Sequence, residues 1–220
     1  MTYTGDVTPG GPSDVREVGG ATIRKMSVSD MHNNVYLVTC AATGEQLLVD
    51  AADDAERCLA LVAEGTGRLD HLVTTHQHWD HVRALEEVAR ATGARTYAGA
   101  DDADALPVPP DVRLRHGDTL HVGELVLDVV HLRGHTPGSV ALSFTDTGER
   151  THLFTGDSLF PGGVGNTKQP GQSFESLYAD VVERVFAGYD DDTWFYPGHG
   201  GDSTIGAERP HLGEWRERGW

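Results

Sequence analysis

The stretch Thr75-His76-Gln77-His78-Trp79-Asp80-His81 sets three imidazoles and a carboxylate within six residues, directly after the apolar run His71-Leu72-Val73-Thr74. A short β-branched run bounded by polar residues reads as a buried strand. Residues two apart on an extended chain point the same way, so His76 and His78 can reach one cation together. Asp80 and His81 point elsewhere. Beyond the strand end the helical spacing of residues 82–91 turns this second pair toward a second cation beside the first.

With 12 histidines in the chain some neighbours arise by chance, so what lies outward from this run matters. Three more sites place a ligand-type residue after glycine at the end of an apolar run: Gly134-His135, Gly156-Asp157 and Gly198-His199. Glycine there permits the tight, sometimes left-handed turn that presents the next side chain at a sheet edge. Two divalent ions need about seven protein ligands if a shared carboxylate and a water complete the set. The chain supplies that number: nitrogen from His76, His78, His81, His135 and His199, and oxygen from Asp80 and Asp157.

These motifs resemble the metallo-β-lactamase superfamily and, within it, its glyoxalase II-like (hydroxyacylglutathione hydrolase-like) branch. Val49-Asp50 resembles the family's first motif, Thr75 to His81 the second, and Gly134-His135-Thr136-Pro137-Gly138-Ser139 the third. Thr155-Gly156-Asp157-Ser158-Leu159-Phe160 resembles the fourth and Pro197-Gly198-His199-Gly200 the fifth. Five motifs in order specify the superfamily far better than they specify a substrate. The resemblance implies an α/β fold, a four-layer αβ/βα sandwich. It also implies a first metal held by His76, His78 and His135, a second by Asp80, His81 and His199, with Asp157 bridging and Asp50 supporting the ligand loop by hydrogen bonds. For Asp50 the competing reading is a turn or cap residue before the helix that follows.

Two Zn2+ ions per chain would lower the pKa of bound water to about 7 and polarise a carbonyl, so no serine or cysteine nucleophile is required. Asp80 and Asp157 position that water. The resemblance to glyoxalase II implies thioester hydrolysis, with a small acyl or thiol-derived compound as substrate. The sequence departs from glyoxalase II in two respects. The helical C-terminal domain that helps hold glutathione is not expected in this chain, and the loop after Asp157 reads Phe160-Pro161-Gly162-Gly163-Val164-Gly165-Asn166-Thr167-Lys168-Gln169-Pro170-Gly171. Lys168 is that loop's one cation able to meet a substrate carboxylate, against the reading of a solvated surface lysine. Trp79 walls the cleft or packs on the neighbouring helix, and His32, in a turn between two strands, is the third candidate for substrate contact. His71, His116, His121, His131 and His152 read as structural. The alternative function is a persulfide dioxygenase-like enzyme with one Fe2+ on His76, His135 and Asp157. A metal-binding scaffold without turnover is the third reading, and β-lactam or lactone opening are weaker options.

Composition sets outer limits. The chain has 220 residues, 38% of them hydrophobic, enough for a substantial core. Its 17 basic against 34 acidic residues give a net charge of −17, which disfavours a nucleic-acid partner. No apolar run approaches the length of a membrane helix, no secretory leader is apparent, and Cys40 and Cys58 read as core residues, so the expected location is the cytoplasm without membrane attachment. A homo-oligomer is compatible with all of this.

Residues 1–20, rich in Gly, Pro, Ser and Asp, read as a flexible arm before a single domain over 21–220. Alternation predicts a meander of strands over 21–28, 35–40 and 46–50, and helices over 54–64 and 81–92 stopped by glycines. A short strand over 95–98 and a helical turn over 101–106 lead to a second β-rich half, with strands over 113–114, 119–122, 124–131, 140–145 and 152–155. The apolar spacing of Phe174, Leu177, Val181, Val182, Val185 and Phe186 predicts a helix over 173–187 capped by Ser173.

Overall fold

The computed structural model describes residues 2–220. The predicted meander forms as β2 (Ala21–Val28), β3 (Asn33–Cys40) and β4 (Gln46–Val49), preceded by β1 (Asp14–Val18). After α1 (Ala55–Glu64) come β5 (His71–Thr74), α2 (Leu85–Thr92), β6 (Arg95–Gly99) and β7 (Val112–Leu114). These seven strands make one sheet in sequence order, antiparallel from β1 to β4 and parallel from β4 to β7.

The second sheet contains β8 (Thr119–Val122), β9 (Leu125–His131), β10 (Val140–Thr145), β11 (Thr151–Gly156), β14 (Trp194–Pro197) and β15 (Ser203–Thr204), in the order β15-β14-β11-β10-β9-β8. Between β11 and β14 lie a short hairpin of β12 (Leu159–Phe160) and β13 (Gly163–Val164), then α3 (Phe174–Asp180). The chain closes with α4 (Ile205–Glu208) and α5 (Leu212–Arg218).

Three apolar clusters explain the layering. Ile23, Tyr36, Val38, Leu127, Leu142 and Phe154 belong to the core between the facing sheets. Leu37, Leu48 and Leu72 point to the other side of the first sheet, onto Cys58, Leu61 and Val88 of α1 and α2. Leu153 and Phe195 meet Leu177, Val185 and Trp215 beyond the second sheet. Strands β3, β4 and β5 are therefore buried on both faces, and they read as near-continuous apolar runs. The four-layer αβ/βα sandwich follows, as expected.

Three local expectations are corrected. Residues 14–18 of the supposed arm pair along β2 with Asp14 opposite Lys25, and the Asp14 carboxylate accepts the Thr4 and Gly5 amides at 2.7 and 2.9 Å. Turn-forming composition concealed an edge strand whose loop is fastened by side chains. The helix expected over 81–92 starts late, because Arg83 and Ala84 donate their amides to Ala52 and Ala51 instead of to the preceding turn. Only a single 3₁₀ turn, Trp79–His81, forms before it. The helix expected over 173–187 has its Ser173 cap but widens to a π-helix over Val181–Phe186. Asp54 caps α1 through the Arg57 amide, and both cysteines are buried and free. Among the described residues no helix is long and apolar enough to cross a membrane.

Candidate metal centre

The site lies where strands of both sheets end. Parallel strands bring their C-terminal ends to one edge, where ligands gather in open α/β sheets. Past β4 stands Asp50, past β5 the run 75–81, and past β6 Asp102. From the other sheet come His135 in the β9–β10 loop, Asp157 after β11 and His199 after β14.

Close approach of backbone is what the glycines permit. Gly156 sits at φ 49°, and a Cβ there would lie 2.6 Å from the Thr75 hydroxyl. A Cβ on Gly198 would lie 2.2 Å from Asp157 Oδ1 and 2.8 Å from His81 Cε1, so any side chain there would enter the cluster.

Two groups form. His76, His78 and His135 bring one ligand atom each within 4.8 Å of one another, and so do Asp80, His81 and His199. Asp157 lies between the groups: its Oδ2 is 4.0 Å from His76 Nε2, 3.6 Å from His135 Nε2 and 3.5 Å from His199 Nε2, while its Oδ1 is 3.4 Å from His81 Nε2. All seven sequence-derived candidates are thus brought together.

The imidazoles are aimed by their other nitrogen. His81 Nδ1 is 3.0 Å from Asp50 Oδ2, His135 Nδ1 is 2.8 Å from the Asn166 carbonyl and His199 Nδ1 is 2.9 Å from the Met31 carbonyl. Acceptors at Nδ1 make that nitrogen the donor and leave Nε2 facing the cluster. His76 Nδ1 meets the Thr75 hydroxyl at 3.0 Å, which itself donates to Asp50 Oδ2 at 2.7 Å. Asp50 also accepts the Thr75 amide at 2.7 Å, so its carboxylate fixes the ligand run at both ends.

Burial holds His76, His78 and His135 below the usual histidine range, with the neighbouring imidazoles adding to it. That direction favours the neutral form a nitrogen ligand must have. Burial also opposes charge on His81 and His199, but the Asp157 carboxylate beside both prevails, with Asp50 helping at His81 and Asp80 at His199. His81 is raised well above its ordinary value and His199 to about 9. For Asp80 and Asp157 desolvation is likewise outweighed by the adjacent imidazoles, leaving both carboxylates below their usual range.

The donor set fits divalent metal. His76 Nε2, His135 Nε2 and Asp157 Oδ1 are buried with no hydrogen-bond partner among the described residues. Unpaired buried polar atoms cost about 1–3 kcal/mol each, and three of them converging from separate loops make a cation the natural partner.

A cleft of about 520 Å³ opens on the cluster, bordered by Met31, His78, Trp79, Asp80, His135, Asp157, Asn166, Gln169, Gln172 and His199. Trp79 borders it and is 62% exposed. His32 and Lys168 are exposed and lie outside this lining. Their neighbours Met31, Asn166 and Gln169 stand there instead, and His32 occupies a left-handed turn position at φ 57°.

Three supporting residues escaped sequence reading. Asp102, fully buried, accepts the Gln77 amide at 2.9 Å, the Thr136 hydroxyl at 2.6 Å and the Gly138 amide at 2.6 Å. Asn33 donates to Asp80 Oδ2 at 2.9 Å. Lys25, also fully buried, donates to Asp202 Oδ1 at 2.7 Å and to the carbonyls of Gly5 and Gly200 at 2.8 and 2.7 Å, bracing the loop that carries His199. Asp102 alone had a signal: like Asp50, it is an acid just beyond a short apolar strand.

Comparison with known proteins agrees with this geometry. Residues 28–199 match the metallo-beta-lactamase superfamily model. A hydroxyacylglutathione hydrolase of Fuscovulum blasticum is 40% identical over 147 residues, which is 66% of this chain and 56% of that protein. The chain thus spans about half the length of such curated relatives. The crystal structure of ETHE1 from Myxococcus xanthus superposes with TM-score 0.77 at 30% identity, covering 89% of this chain and 84% of that one. The structure of TTHA1623 in a di-iron-bound form gives TM-score 0.71 at 31% identity, covering 84% and 96%.

Proposed function

Because the chain belongs to the metallo-β-lactamase superfamily, we propose that it is a metal-dependent hydrolase acting on a thioester or related small acyl compound. The observation that carries this reading is the Asp157 carboxylate standing between two imidazole groups at 3.4–4.0 Å. His76, His78 and His135 would hold one zinc ion, Asp80, His81 and His199 a second, and Asp157 both. When bound, the ions supply a water that ionises near neutral pH and a Lewis acid for the acyl oxygen.

The chain's own groups do the positioning. Asp50 and the carbonyls of Asn166 and Met31 hold the Nδ1 protons of His81, His135 and His199, which keeps each Nε2 available. Asn33 holds the Asp80 carboxylate in place. Trp79 and Met31 give one side of the cleft an apolar border. No serine, threonine or cysteine borders the cleft among the described residues, which favours attack by water over an acyl-enzyme route. Nor does a lysine or tyrosine stand there to protonate a leaving amine. A thiolate leaves without such help because thiols are comparatively acidic. The similarity to hydroxyacylglutathione hydrolases supports the same class.

The second reading is a mononuclear iron oxygenase acting on a thiol persulfide through His76, His135 and Asp157. It is favoured by the placement of Asp157 Oδ2 within 4.0 Å of both imidazoles and by the likeness to ETHE1. A closed structural metal site is disfavoured, since His78 and His199 are only partly buried and open on the cleft. The two free, buried cysteines suit a reducing cytoplasm. The test is metal content together with thioester cleavage: two zinc ions per chain with turnover lost on chelation support the hydrolase, and oxygen uptake with one iron overturns it.

A further inference from the structure

We propose that this cleft selects acyl groups carried on an uncharged, amide- or hydroxyl-bearing thiol over those carried on an anionic thiol, with Trp79 as the apolar platform for the carrier. The proposal rests on the hydrolase reading and concerns the part of the substrate away from the reacting carbonyl. Among the residues bordering the cleft there is no lysine or arginine. What faces the carrier is neutral: the side-chain amide of Gln169 and the Nδ2 of Asn166 have no partner among the described residues, while Gln172 is occupied with the His135 carbonyl at 2.8 Å.

The nearby cations are paired or lie outside the lining. Arg83 lies 3.7 Å from the centre of the Trp79 ring and pairs with Asp53 at 2.7 Å, so it stiffens the indole while its charge is balanced. Lys168 is exposed and outside the lining. Two carboxylates, Asp80 and Asp157, also border the cleft in a chain of net charge −17. Two bound zinc ions would bring four positive charges against three from Asp80, Asp157 and an ionised water, and that single surplus charge would belong to the reacting carbonyl rather than to the carrier. A carrier bearing free carboxylates would therefore lose its hydration against amides and an indole without gaining an ion pair, which selects against it. A neutral carrier loses less and gains stacking area on a ring that is 62% exposed.

The reaction balances simply. Water oxygen bonds to the acyl carbon, the acyl C–S bond breaks, and the products are a carboxylate, the free thiol and one proton.

The test uses zinc-loaded protein and one acetyl group on two carriers, neutral N-acetylcysteamine and anionic glutathione. The neutral thioester should be cleaved with kcat/KM about tenfold higher or more, ~1.4 kcal/mol of discrimination. Gln169→Lys should shift the ratio toward glutathione by about fivefold, as one new ion pair allows. Trp79→Ala should raise KM for the neutral substrate with zinc content unchanged. Independently of turnover, free N-acetylcysteamine should quench indole fluorescence at lower concentration than glutathione, and Trp79→Phe should abolish that difference. Preference for glutathione in cleavage or quenching, or a ratio unmoved by Gln169→Lys, overturns the proposal. Cleavage of neither thioester, with quenching still favouring the neutral thiol, would instead count against the hydrolase reading and leave the carrier preference standing.

Discussion

Asp102 Oδ2 accepts the Thr136 hydroxyl at 2.6 Å, joining a residue that follows the first sheet's β6 to the loop of the second sheet that carries His135. The same carboxylate accepts the amides of Gln77 and Gly138, so the loops bearing His76, His78 and His135 share one buried anchor. Asp102→Ala would strand three donors at about 1–3 kcal/mol each. Urea unfolding should show a loss on the order of 3–5 kcal/mol, and zinc affinity measured by chelator competition should fall. A loss below about 1 kcal/mol would show that the loops stand without their common anchor.

Asp50 supports the same ligand run from below. Asp50→Asn replaces one accepting oxygen with a donor, so either the Thr75 amide contact at Oδ1 or the Thr75 hydroxyl and His81 contacts that share Oδ2 must break. Metal affinity should drop by about 10–100-fold with the fold retained. Circular dichroism and zinc titration of the same sample check both halves.

Lys25 and Asp202 form a buried ion pair, with side chains 0% and 1% exposed. Removing one partner leaves an uncompensated buried charge, so Lys25→Met should cost about 3–5 kcal/mol. The double replacement Lys25→Met, Asp202→Asn should recover much of that in a thermodynamic cycle. Simple additivity of the two changes would argue that the pair does not brace the His199 loop.

His152 is fully buried, and burial lowers its pKa to about 4, aided by Arg16 and Arg150 against the pull of Asp146. Above pH 6.5 neither the folded nor the unfolded histidine carries a proton, and stability is unaffected. Between 6.5 and 4 the unfolded chain gains a proton that the native one refuses, so stability falls by on the order of 3 kcal/mol. His152→Gln should flatten that part of the pH–stability curve. An unchanged slope would place the acid sensitivity elsewhere.

The chemistry-bearing residues were legible because metal ligands are few in type and sit at strand ends, where apolar runs stop at glycine. His135, Asp157 and His199 announce themselves in this way, and His76 to His81 by their density directly after the apolar run 71–74. The four-layer architecture was equally legible from the doubly buried runs of β3 to β5 and the apolar spacing of α1 and α3. What stayed hidden depends on contacts between distant segments. Lys25 looks like an ordinary surface charge until the fold encloses it, and β1 looks like linker until it lies along β2. The late start of α2 is set by the carbonyls of Ala51 and Ala52, thirty residues earlier, which no local spacing reports.

On the proposed reading Asp157 would join two metals on this set of seven ligands for hydrolysis. The most direct test is elemental analysis of protein purified without added metal or chelator, followed on the same sample by thioester-cleavage and oxygen-uptake assays. The expected result is close to two zinc ions per chain and thioester cleavage without oxygen consumption. One iron per chain with oxygen consumed on a thiol persulfide would contradict it.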